Sequence, residues 1–95
     1  MKDKAQFFDA NSRNTYKASH SIILYNDSLN TFDHVMTTLS DLLEMDLVQA
    51  EQIATLVHYK GSCDIKSGPF EVMEVYKEIL EEKGLTVSIE EKINV

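Results

Sequence analysis

An apolar strand run, amphipathic helical periods and a terminal alternating stretch follow one another in the order β-α-α-β-α-β, which predicts a small α+β domain. Three strands are too few to stand alone in water. The three helices must therefore cover one face of a three-stranded antiparallel sheet. A chain of 95 residues with 43% hydrophobic residues has room for one such domain and a core of modest size.

The elements follow in order. Ser21-Ile22-Ile23-Leu24-Tyr25 is a β-branched and aromatic run, and the turn-forming pair Asn26-Asp27 ends it. Phe32, Val35, Met36, Leu39, Leu42 and Leu43 repeat at helical spacing, predicting a helix over about 31–45 with Thr31 or Asn30 as its N-cap. Asp46-Leu47-Val48-Gln49 is a variant capping box that opens a second helix. That helix turns Ala50, Ile53, Ala54 and Val57 inward, and Gly61 suits its C-terminal stop. Cys63–Lys66 is a weak strand candidate, and Pro69 fits the first position of a third helix that runs to about Lys83. Met73, Tyr76, Ile79 and Leu80 give that helix its apolar face, and Gly84 ends it. Leu85–Glu90 then alternates with period two, as a half-buried strand does.

Composition narrows the class without naming a function. Net charge is −7, and the balance shifts along the chain from +2 over residues 1–20 to −5 over 21–70 and −4 over 71–95. The basic head lacks an apolar period, so residues 1–18 are expected to be a flexible extension and 19–95 the folded domain. An acidic chain lacks the clustered Lys and Arg that hold phosphates, so no nucleic-acid partner is expected. A single Cys fits a reducing cytoplasm and excludes an internal disulfide framework. No apolar run reaches a membrane span, and the first residues lack the core of a secretory signal, so the expected location is cytoplasmic with no membrane partner.

Three polar groups carry the chemistry worth weighing. Asn26 and Asp27 sit between a strand and a helix, where such residues commonly serve the turn itself. His58 sits in the last turn of helix two, where imidazole commonly complements the helix dipole. Each reading competes with a binding role. His34, beside Asp33, belongs to the polar flank of helix one and is expected to be solvated. A metal set of Asp27, Asp33 and His34 has no recognised ligand spacing, and Cys63 with His58 matches no cysteine-enzyme signature. No catalytic residue, metal or cofactor is therefore expected.

The residues nonetheless resemble a known family. Ser21–Asp27, Thr31–Val35 and Ala50–Gly61, with the paired Asn-Asp and the Val-His-x-x-Gly helix end, resemble the ClpS adaptors of the bacterial Clp protease over roughly residues 19–90. The resemblance implies a non-enzymatic module that holds the free α-amino group and bulky hydrophobic first residue of N-degron proteins. Such a module passes its cargo to a Clp AAA+ ATPase of the ClpA or ClpC type. It implies Asn26, Asp27, Ser28 and His58 as the amino-group site, and Asn30, Phe32, Val35, Ala54, Val57 and Leu85 as the pocket for the first side chain.

Several positions depart from the family pattern. Ser28 replaces a second acidic residue, so amino-group binding is expected to be weaker or to lean more on Asp27, and Asn30-Thr31 replaces Thr-Pro; Phe32 and Ala54 replace two methionines, and that change of bulk is expected to shift the preference among first residues. The stretch from Gly61 to Pro69 is about four residues shorter than usual. A monomer is expected. The alternative is a small interaction domain like the C-terminal domain of the ribosomal stalk protein, without an N-terminus pocket.

Overall fold

A computed structural model describes residues 19–92. The expected extension over residues 1–18 lies outside the described residues. Strand β1 (His20–Tyr25) leads through a short loop to helix α1 (Phe32–Leu43) and then to helix α2 (Leu47–Lys60). Strand β2 (Ser62–Gly68), helix α3 (Phe70–Glu82) and strand β3 (Thr86–Glu91) complete the order expected from the sequence. The sheet is antiparallel with β1 in the centre, in the order β2-β1-β3.

Apolar periodicity explains the packing. Ile22 and Leu24 of β1 point to the same face and are buried with Leu39 of α1, Ala50 and Val57 of α2, and Met73 and Leu80 of α3. Leu85 and Val87 close the core from the β3 side. The helices begin and end where local chemistry dictates. Thr31 Oγ1 accepts from the His34 amide at 3.0 Å and Asp46 Oδ1 from the Gln49 amide at 2.8 Å, each satisfying a helix-start donor. Of the two residues proposed to cap α1, Thr31 therefore does so. The helix stops at Leu43, earlier than expected, because Glu44 adopts a left-handed φ of 57°.

Two other expectations are corrected. Pro69 is the N-cap of α3, not its first helical residue, since its ψ of 150° is still extended. Strand β2 starts one residue before Cys63 and runs two residues past Lys66. A bulge lies opposite the Ile22–Ile23 step, where Lys66 and Asp64 are the successive partners and Ile65 is the extra residue. It breaks the alternation that would have marked the strand.

Candidate functional site

The centre of the site is the C-terminal end of β1, where Tyr25 pairs with Ser62 on one side and Thr86 on the other. The next residue, Asn26, leaves the ladder and donates its amide to the Gly61 carbonyl at 2.9 Å. Gly61 caps α2 with φ 95°, and its own amide returns to the Val57 carbonyl at 2.9 Å. These two bonds dock the last turn of α2 onto the strand end. Val57 is thereby buried under the loop and His58 is exposed at its mouth. The Val-His-x-x-Gly and Asn-Asp signatures are thus one construction, joined through Gly61 and Asn26.

On the opposite flank Asp27 is consumed by its own surroundings. Its Oδ1 accepts from the Leu29 and Asn30 amides, both at 2.9 Å. Its Oδ2 accepts from Asn30 Nδ2 at 2.9 Å and from Thr86 Oγ1 at 2.7 Å. Four donors fill the lone-pair sites of the carboxylate. The Thr86 hydroxyl, followed by the Asn30 amide, favours the ionised form and holds the Asp27 pKa at about 2, against an ordinary 3.8. Asn30 extends the network to α3–β3 by donating to the Gly84 carbonyl at 2.9 Å. Asp27 is therefore the organiser of the loop as well as a fixed negative charge.

Between the two flanks lies an open cleft of about 330 Å³. Asn26, Asp27 and His58 line it, and so do Asn30, Phe32, Val35, Ala54, Val57 and Leu85. Ala54, Val57 and Leu85 are buried in its wall, while Phe32 remains 41% exposed. Ser28 does not line it. Ser28 is exposed, and the charge-bearing neighbour that lines the cleft is Asp27. Leu24, Tyr25 and Thr86 also line the cleft and were not anticipated. Thr86 was discoverable in principle as the polar neighbour of Leu85, but its partner Asp27 is 59 positions away.

The weaker candidates take structural duties. His34 is not simply solvated, because its Nε2–H donates to the Lys83 carbonyl at 2.8 Å and ties α1 to the end of α3. Among the described residues no group of His, Cys, Asp and Glu could hold a metal ion. Cys63 lies away from the cleft, with Sγ 3.3 Å from the Asp64 carbonyl. Burial, with the Asp64 charge second, pushes its thiol pKa up and keeps it protonated. No helix is long and apolar enough to cross a membrane, among the described residues.

Comparison with known proteins agrees with this construction. The family described as ATP-dependent Clp protease adaptor protein ClpS matches residues 15–88. The ATP-dependent Clp protease adapter protein ClpS of Thermosynechococcus vestitus is 35% identical over 71 residues, which is 74% of this chain and 76% of that protein. The protein of the same name from Nostoc sp. is 35% identical over 77 residues, 80% of this chain and 78% of its own length. Among solved structures, Agrobacterium tumefaciens ClpS2 bound to L-phenylalaninamide has the same fold, with a TM-score of 0.68 at 16% identity. The match covers 79% of this chain and 98% of that one.

Proposed function

The chain belongs to the ClpS family of ATP-dependent Clp protease adaptor proteins, and from that premise we propose that it captures N-degron proteins by their free α-amino group and bulky hydrophobic first residue. It then delivers them to a Clp AAA+ unfoldase in the cytoplasm. The observation that supports this most is the division of the cleft. Asn26 and His58 offer side chains with no hydrogen-bond partner among the described residues, and beside them lies an apolar floor of Val35, Ala54, Val57 and Leu85.

The chemistry follows from the ligand. An α-amino group, with a pKa near 7.7–8.0, is mostly an ammonium with three N–H donors at neutral pH. The Asn26 carbonyl and one ring nitrogen of a neutral His58 are acceptors for it. Asp27 contributes its field, since its oxygens are occupied by the loop. N-acetylation removes the charge and two of the donors, leaving covered acceptors unpaired at a cost of roughly 1–3 kcal/mol each. Burying a leucine or phenylalanine side chain in the floor adds about 1.5–3 kcal/mol. Charge and apolar burial are both needed for a useful affinity.

The test is a fluorescence-anisotropy titration with peptides beginning in Leu, Phe, Tyr or Trp, each free and N-acetylated. Free peptides bind at least roughly tenfold tighter. Equal binding of the two forms overturns the reading.

A further inference from the structure

We propose that His34 is a positioning residue for the cleft. Its bond to the Lys83 carbonyl fixes the separation of two segments that line the cleft, and thereby sets how sharply the site discriminates among hydrophobic first residues by size. This rests on the reading of the cleft as a pocket for an N-terminal residue.

The bond is the last of a series. Thr86 Oγ1 donates to Asp27 at 2.7 Å, Asn30 Nδ2 to the Gly84 carbonyl at 2.9 Å, and His34 Nε2 to the Lys83 carbonyl at 2.8 Å. As the chain advances through 27, 30 and 34, its partners step back through 86, 84 and 83. A carbonyl only accepts, so the ring proton of this bond is on Nε2. Both of the segments joined in this way line the cleft. Asn30, Phe32 and Val35 belong to the first, and Leu85 and Thr86 to the second.

No fully buried side chain holds the first turn of α1 in place. The buried residues of the helix, Thr38 and Leu39, lie beyond that turn. Phe32 is exposed and Val35 only half-buried. The backbone of α1 runs closest to α2. Among the described residues, the His34–Lys83 bond is the one side-chain hydrogen bond from α1 to the turn between α3 and β3. The amino-group end is held separately, by the bond from the Asn26 amide to the Gly61 carbonyl.

A pocket selects by size only where its walls do not yield. Against fixed walls an oversized side chain is overpacked and an undersized one leaves a void, and each loses affinity. Without the His34 tie the first turn of α1 shifts to suit either, and the discrimination falls.

Peptides beginning in Leu, Phe and Trp, each free and N-acetylated, are titrated by fluorescence anisotropy against the wild type, His34→Ala and His34→Gln. Both variants keep the residue-34 amide that Thr31 caps, and glutamine restores an N–H donor at the ε position. In the wild type the tightest and weakest of the free peptides differ by roughly tenfold. In His34→Ala that spread falls to within about threefold, and in His34→Gln it stays near the wild-type value. The preference for free over acetylated peptides is retained in both variants. A wild-type spread under about threefold, a spread that survives in His34→Ala, or a glutamine variant as flat as the alanine one overturns the assignment. So does loss of the free-over-acetylated preference in His34→Ala alone, which would make the bond a support of the whole domain. Equal binding of free and acetylated peptides by the wild type overturns the adaptor reading, and the assignment with it.

Discussion

The two walls of the cleft grow from the same strand end and treat their polar groups in opposite ways. On the β2 side, the backbone of Asn26 is bonded to Gly61 while the side chains of Asn26 and His58 remain open. On the β3 side, Asp27 spends both oxygens on Leu29, Asn30 and Thr86. One wall leaves its side-chain acceptors available, and the other spends its carboxylate on holding the loop in place. The proposed capture of an ammonium needs both, because acceptors that must first be ordered return part of their binding energy as entropy.

That contrast can be broken at either wall. The largest effect is expected from His58→Ala, which removes an acceptor from the open wall. It lowers affinity for free N-termini by roughly tenfold or more and abolishes the preference over acetylated peptides, read in the same anisotropy titration. Because His58 is exposed, thermal stability changes little, and a variant that melts much earlier would place His58 on the structural side of the comparison.

Asp27→Asn attacks the other wall. It leaves one acceptor oxygen where there were two, weakening one pair of the charge-assisted bonds and setting an NH2 against the donors of the other, and costs about 1–2 kcal/mol of stability after allowance for solvent screening, measured by urea denaturation. The pH dependence carries a sign. The folded Asp27 pKa is lowered to about 2 from 3.8, so its stabilisation is fully present above 3.8 and is lost as pH falls towards 2. Asp27→Asn should flatten the acid limb of the stability curve in that window. An unchanged limb would deny Asp27 its organising role.

Gly61→Ala tests the joint that docks the last turn of α2 onto the strand end. Nothing lies within 4 Å of a Cβ there, so the cost is the left-handed φ of 95° alone, about 1 kcal/mol by the same denaturation. The smallest effect belongs to Ser28→Asp. An added charge at this exposed position, outside the cleft lining, is screened, and affinity for a free N-terminus changes by less than about threefold. A larger gain would mean that Ser28 reaches the amino group after all.

Much of the fold was legible because local patterns and tertiary packing agree. The apolar faces read from spacing in α2 and α3 are largely those the core buries, from Ala50 and Val57 to Met73 and Leu80, with Ile79 left only half-buried. The strand β2 was less legible because its bulge interrupts the period and its residues pack only partly against the core. In the site, most residues around the cleft were named from the family resemblance, but Leu24, Tyr25 and Thr86 were not, and neither was the division of labour. Neither the Asp27–Thr86 bond nor the His34–Lys83 bond leaves a mark in sequence spacing, since each joins positions about half a chain apart. Local pattern reveals which side chains are polar and leaves open which of them a distant segment has already claimed.

The bulge in β2 has a consequence for chains crowded together. β2 is an edge of the sheet, and an edge with a flat row of free amides and carbonyls invites a fourth strand from a neighbouring molecule. The extra residue Ile65 kinks that row, and next to it Lys66 holds its ammonium over the Tyr76 ring, 4.7 Å from the centroid. A kinked edge with a cation drawn in beside it is a poor template for amyloid-like stacking. Straightening β2 by deleting Ile65 would turn an irregularity of three residues into a liability for the whole solution.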